Sequence, residues 1–140
     1  MLVDLKIINV EWVSQKPALM RLRGQVFINE QHVPPALEWD EHDVTAQHLL
    51  AIHQGQEIGC ARIVVNQIGR MAVLAQWRHQ GVGKALLDAA IQVIRHEGFS
   101  SATLSAQVHA IGFYQRAGFV ISSSEYQDAG IAHVDMRLLF

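Results

Sequence analysis

The chain is poor in cysteine: Cys60 is the only one among 140 residues. That excludes an internal disulfide and any cysteine-rich zinc site. It also lacks a long apolar run, since nothing approaches the roughly 20 residues that cross a bilayer as a helix. Its first residues, Met1-Leu2-Val3-Asp4-Leu5-Lys6, lack the basic-then-apolar order of a secretory leader. Low-complexity tracts are missing, and only 17% of residues are charged against 50% hydrophobic, which argues against a disordered chain. A net charge of −2 argues against a whole-surface nucleic-acid binder. These absences lead to the expectation of a soluble, cytoplasmic protein that engages neither nucleic acid nor membrane. At about 100–150 residues per domain, residues 1–140 are expected to form one domain.

What the chain does have is histidine, eight in all, which invites a metal or pH-sensing role. Spacing weakens that idea. There is no His-Glu-x-x-His and no Cys-x-x-Cys. His48 and His53 lie five apart on an expected strand, hence on opposite faces. No metal is expected, and Cys60 reads as a small buried hydrophobe. Charge is distributed unevenly. Residues 1–60 hold four Lys/Arg and eight Asp/Glu, whereas residues 61–140 hold seven and five. Glu38, Asp40, Glu41 and Asp43 crowd into six positions. Such a run is either a solvated acidic loop or one end of a two-ended site. In the second case a cationic group sits near the acids and an anionic ligand on the C-terminal half.

Apolar periodicity gives the elements. Leu2 to Val10 reads as a strand. Trp12 to Asn29 carries a helical stripe of Ala18, Leu19, Leu22, Val26 and Phe27, with Ser14 as N-cap and Pro17 in the first turn. Pro34-Pro35 is expected to stop regular structure, with Glu38 to Ala46 a loop or short helix. His48–His53 and Glu57–Val65 form a hairpin around Gln54-Gly55-Gln56. Asn66-Gln67 is a second turn, and Ile68–Leu74 the next strand. Gly81 to His96 then shows helical spacing and is followed by Gly98. Ser101–Ala106 is a strand, Val108–Ala117 a short helix, and Phe119–Ser122 and Ala132–Leu139 two last strands. This order predicts an α+β mixed sheet, with a parallel pair joined by a right-handed crossover through Ile68–Ala106.

The most specific segment runs from Met71 to Leu87: a strand, a short loop, two glycines and a helix start. A helix N-terminus offers unpaired amides and the positive end of a dipole. Gly81 and Gly83 let a phosphate approach the backbone, and Arg78 and Lys84 add charge. A dinucleotide fingerprint fails because its third glycine is Leu86 here. A phosphate-binding NTPase loop fails because Arg78 stands for its first glycine and Ala85 for its Ser/Thr. Arg/Gln-x-x-Gly-x-Gly, by contrast, is matched fully by Arg78–Gly83.

That pattern resembles the coenzyme-A pyrophosphate loop of the GNAT N-acetyltransferase superfamily. Met71-Ala72-Val73 resembles the superfamily's splayed fourth strand, and Ala110–Phe119 its A-x-x-F/Y-Y-x-x-x-G-F segment. Arg21 to Pro34 with Glu38–Asp43 resembles a small bacterial branch with the pattern R-x-x-V-F-x-x-E-Q-x-V-P…E-x-D…D…H. Asp128–Met136 resembles the branch's C-terminal E/D-A-G-I-x-H-x-x-M. The V-F…E-x-D theme is also similar to acyl-homoserine-lactone synthases.

The resemblance implies a three-layer α/β/α fold whose fourth and fifth strands splay apart. It implies acetyl-CoA as cosubstrate, a primary amine of a small molecule or protein as acceptor, and room for a homodimer. Coenzyme contacts fall on Met71, Ala72, Val73, Arg78, His79, Gln80, Gly81, Val82, Gly83, Lys84, Gln107 and Tyr114. Gln107 stands where the superfamily often has Asn. Tyr114 is expected to protonate the leaving thiolate, and the Val73 amide or its neighbour to stabilise the oxyanion. The base glutamate that some members carry on the fifth strand is absent, its place being near Ala102. Glu30, Glu38 and His133 are therefore the candidate bases, with Arg21, Glu38 and His133 as acceptor-binding candidates. Two alternatives stand beside this expectation: a non-catalytic acyl-CoA-binding module, and an acyltransferase using longer or carrier-bound chains.

Overall fold

The computed structural model describes residues 2–140. Its strands are β1 (Leu5–Val10), β2 (Gln47–His53), β3 (Gln56–Val64), β4 (Gln67–Val73), β5 (Ser101–Gln107), β6 (Val120–Ile121), β7 (Tyr126–Asp128) and β8 (Ile131–Leu139). They form one sheet in the order β1-β2-β3-β4-β5-β8-β6, with β7 also paired to β8. β4 and β5 are parallel, and every other neighbouring pair is antiparallel. The helices are α1 (Trp12–Arg23), α2 (Pro35–Glu38), α3 (Val82–His96) and α4 (Ile111–Arg116).

Two cores flank the sheet, giving the expected three layers. On one face α3 buries the stripe Val82, Leu86, Leu87, Ala90, Ile91 and Ile94 against Ile58, Ile63, Ala102, Leu104 and Ala106. Strict alternation along β5 puts Ala102, Leu104 and Ala106 on that face and leaves Ser105 and Gln107 on the other. Gly59 sets how closely α3 seats. A Cβ there would lie 2.9 Å from the Ala72 carbonyl oxygen and 3.2 Å from Leu86 Cδ1. On the opposite face Leu19, Leu22 and Val26 pack on Leu50, Cys60, Ala72 and Leu74. Cys60 is buried, and desolvation pushes its thiol up to about 12, so it carries no thiolate at neutral pH.

Several boundaries differ from the sequence expectation, each for a local reason. The first strand begins at Leu5, after Asp4 turns the chain at φ 60°. Ser14 does not cap α1; its hydroxyl donates to the Glu11 carbonyl instead. A kink at Gln15 (φ −123°) precedes Pro17, which sits in the first turn of the segment that follows. The stripe past Arg23 continues not as α-helix but as a seven-residue π-helix, Gly24–Glu30. Pro35 opens the one-turn α2 rather than ending order, since a proline at the first helical position gives up an amide that would be unpaired anyway. The second turn falls one residue earlier than expected, with Val65 at φ 59°, and Gln67 already lies in β4. β7 was not expected from the sequence.

Candidate functional site

The site is a wedge between two parallel strands. β4 and β5 pair only at Gln67–Thr103 and Ile68–Leu104. β5 stays in register with β8 along its whole length, so β4 is the strand that departs. Its register against β3 passes from Gly69–Arg62 to Ala72–Cys60 with one residue too many, and Arg70 in that gap has φ 47°. This is a β-bulge, which bends and twists its strand. The opening is a cleft of about 480 Å³. The π-helix contributes Val26 and Phe27 to its wall, β4 Met71 and Val73, β5 Ser105 and Gln107, α4 Tyr114, and β8 Ile131 and His133. The sheet topology thus brings together Met71, Val73, Arg78, Gln107, Tyr114, Glu38 and His133 from the sequence-predicted set. Ala72 points to the buried core beneath α1.

The loop after β4 leads into α3 with alternating backbone hands. His79 (φ 63°) and Gly81 (φ 87°) are left-handed. Gly81 is the N-cap of α3 and has no side chain to cap with. The amides of Val82, Gly83 and Lys84 therefore have no intrahelical acceptor and face outward with the dipole's positive end. Such a cradle fits a pyrophosphate. Gly83 is a point of close approach, where a Cβ would touch the Phe113 ring at 3.4 Å. Lys84 pairs with Asp88 at 2.7 Å on the exposed surface, a contact weak enough to give way to a ligand.

Arg78 does not point into that cradle. Its Nε donates to the Val73 carbonyl at 2.9 Å. Its two Nη atoms hold both oxygens of Glu30, at 2.9 and 3.0 Å. Glu30 is thus engaged in a two-point ion pair and does not line the cleft. Across the wedge, Gln107 Nε2 donates to Gln31 Oε1 at 2.8 Å.

Tyr114 lies against Phe113 and Phe119, with ring centroids 5.1 and 6.2 Å away and nearly perpendicular planes. Burial pushes its phenol up to about 12, so it is fully protonated at neutral pH. Opposite it on β8, His133 Nδ1 sits 2.7 Å from the Ile131 carbonyl. The acceptor being a carbonyl, Nδ1 is the donor of this bond, and Nε2 is the ring nitrogen left to take up a proton. The ring stacks on Tyr126 with 21° between planes. Tyr126 in turn receives a hydrogen bond from Ser105 and donates to Asp135 at 2.6 Å. Partial burial and the Asp135 carboxylate both push the Tyr126 phenol up. The turn before His133 places Ala129 at φ 52° and Gly130 at φ 76°, the tight two-residue form that joins β7 to β8.

The acidic segment is neither a solvated loop nor a cation site. Arg23, fully buried between the rings of Trp12 and Trp39 (5.5 and 5.0 Å), binds Glu38 at 2.8 Å and Asp43 at 2.7 Å. Arg62 reaches Asp40 at 2.6 Å and Asp43 at 3.0 Å. Arg70 reaches Glu38 and Asp40, each at 3.2 Å. Three carboxylates are thus matched by three guanidinium groups, which removes the excess negative charge read from the sequence. Asp40 also caps the 3-10 turn Glu41–Asp43, accepting from the His42 amide. Burial alone would push Asp43 up, but Arg23 and Arg62 hold it below the usual carboxylate range. At Glu38 burial outweighs Arg23 and Arg70, and its carboxyl is pushed up. Glu38 does line the cleft, but its carboxylate is committed to arginines. Arg21 is not part of the site; it lies half-exposed beside Glu57, 3.4 Å away.

Sequence reasoning missed Gln31, Arg62, Arg70, Ser105 and Tyr126. A signal existed for Arg62: an arginine between Ala61 and Ile63 in an apolar strand needs a buried partner. None existed for Tyr126, whose strand is three exposed residues. Among the described residues no group of three His, Cys, Asp or Glu is placed to hold a metal, and no helix is long and apolar enough to cross a membrane.

Comparison with known proteins agrees with this geometry. The family model for the acetyltransferase (GNAT) domain matches residues 11–140. The chain is 39% identical over 124 residues to YyaT of Bacillus subtilis, covering 84% of each protein. It is 32% identical over 134 residues to ElaA of Escherichia coli, covering 89% of this chain and 87% of ElaA. The crystal structure of an acyl-CoA N-acyltransferase from Pseudomonas aeruginosa superposes with a TM-score of 0.86 at 30% identity, covering 96% of this chain and 99% of that one. The fold is therefore that of a known acyl-CoA N-acyltransferase, and the chain belongs to the GNAT acetyltransferase family.

Proposed function

We propose that the protein is an acetyl-CoA-dependent N-acetyltransferase that passes acetyl directly from the thioester to a primary amine. The observation that carries this reading is the wedge itself. Tyr114, protonated, and His133, its Nδ1 engaged by a carbonyl, line one opening, and a cradle of unpaired amides follows in the loop that leaves β4.

In this reading the amides of Val82, Gly83 and Lys84, with the backbone of His79, Gln80 and Gly81, receive the coenzyme pyrophosphate. The exposed edge of Met71–Val73 pairs with the pantetheine arm, and Gln107, its Nε2 kept on Gln31, offers its Oε1 to the arm. Acetyl-CoA supplies an activated thioester carbonyl. The Val73 amide stabilises the oxygen of that carbonyl as it becomes negative. Nε2 of His133 accepts the proton that the attacking amine must lose, directly or through one water. Glu30 and Glu38 do not serve, because arginines hold both carboxylates.

Tyr114 donates to the departing sulfur. A thiol titrates near about 8.5 in water, whereas burial pushes Tyr114 to about 12. Complete proton transfer to a solvated thiolate would therefore run uphill by about three and a half orders of magnitude. Desolvation of the thiolate in the same cleft narrows the gap, and a strong hydrogen bond from Tyr114 supplies most of the benefit.

Thermal melting with acetyl-CoA tests the coenzyme assignment. A ligand at about 100 times its Kd should add about 2.7 kcal/mol of stability; no shift at millimolar acetyl-CoA would overturn it. For the base, His133→Ala should slow transfer about 100-fold and recover in part with added imidazole. A variant as fast as the parent would remove His133 from the chemistry.

A further inference from the structure

Glu30 and Gln31 are consecutive, yet they tie the π-helix to opposite sides of the wedge. Glu30 is held at two points by Arg78, just beyond β4. Gln31 accepts from Gln107, the last residue of β5. Arg78 is tied a second time, through Nε to the Val73 carbonyl at the end of β4. The π-helix is otherwise anchored by Val26 in the core beneath α1, with Phe27 packed against that core. Its i→i+5 pattern is rare overall but frequent at functional sites. Its exit is secured by two backbone bonds, from the Gln31 amide to the Val26 carbonyl at 3.2 Å and from the Val33 amide to the Phe27 carbonyl at 2.9 Å. The same segment supplies Val26, Phe27, Gln31 and Val33 to the cleft wall.

We propose that Glu30 and Gln31 form a clasp across the splayed strands, through which coenzyme binding sets the wall of the acceptor half. They are positioning residues: they act through Arg78 and Gln107 and take no part in proton transfer. Arg78 belongs to the loop that coenzyme fixes, and its guanidinium hands that order on to Glu30. The inference rests on the acetyl-CoA reading above and adds a direction of coupling, from coenzyme to acceptor wall.

Hydrogen exchange of the full chain, with and without coenzyme A, tests it. In the parent, coenzyme should slow exchange in residues 79–84 and also in residues 24–31. In the double variant Glu30→Ala/Gln31→Ala, slowing at 79–84 should persist and slowing at 24–31 should vanish. The acceptor KM should rise about tenfold, within the usual range for coupled sites, while coenzyme Kd stays within about twofold. Glu30→Asp, which keeps the charge, should restore part of the KM. Equal slowing of 24–31 in parent and double variant would overturn the clasp. Loss of slowing in both segments would also overturn it, by showing that the pair merely holds the coenzyme site together. No slowing at 79–84 in the parent would overturn both the clasp and the acetyl-CoA reading.

Discussion

The two halves of the cleft are built by different means. The half proposed for the coenzyme is local and regular: the end of β4, a loop with two left-handed residues, and the first turn of α3 follow one another within residues 71–84. The half proposed for the acceptor is assembled from distant pieces: a π-helix, the bulge at Arg70, the turn with Ala129 left-handed and the short strand β7. Its foundation is the buried network of Arg23, Arg62 and Arg70 with Glu38, Asp40 and Asp43.

The largest effect should come from breaking that foundation. Arg23→Met keeps the bulk between Trp12 and Trp39 but leaves Glu38 and Asp43 without their shared partner. It should lower unfolding free energy in urea by about 3–5 kcal/mol, the usual consequence of removing one member of a buried pair. A loss below about 1 kcal/mol, the scale of an exposed pair, would show that the network is more hydrated than its geometry indicates.

The coenzyme half should break more gently. Gly81→Ala forces a Cβ onto a residue at φ 87°, at a strain of roughly 1–2 kcal/mol. Coenzyme affinity should fall by about tenfold, or about 1.4 kcal/mol, with the acceptor half intact. If affinity holds, the cradle is not where the pyrophosphate sits.

The difference between the halves also explains what the sequence made legible. Periodicity and a fixed-spacing glycine motif identify the sheet, α3 and the coenzyme loop because the determining residues are neighbours in the chain. The partners of Glu30 and of the acidic segment lie 48 and up to 32 residues away, and no local pattern announces them. Glu30 looked like a free carboxylate and Asp43 like a surface acid for that reason. His133 was visible as a candidate, but its tautomer follows only from the Ile131 carbonyl that the Ala129-Gly130 turn delivers to Nδ1.

The smallest predicted effect concerns His48, under the acceptor half. It is fully buried; burial pushes its pKa down, and its Nε2 lies 2.8 Å from the Asp43 carbonyl. A base depressed in the fold contributes stability in full above its unfolded value near about 6.5, and that contribution is lost as pH falls toward the folded value. Asp43, also depressed, behaves in the same sense below about 3.9, and Glu38, raised, in the opposite sense above about 4.3. His48→Gln isolates the first contribution. Between about pH 6.5 and 5, parent stability should fall more steeply than that of the variant; parallel curves would remove His48 as a source.

The central claim is direct transfer in the wedge with Tyr114 as proton donor to sulfur. The most direct test is release of the coenzyme thiol from saturating acetyl-CoA, measured against a panel of primary amines for the parent and for Tyr114→Phe. The account predicts amine-dependent thiol release by the parent, slowed about 100-fold in the variant, with acetyl-CoA affinity unchanged. Release that is independent of amine, or equally fast without the hydroxyl, would contradict it.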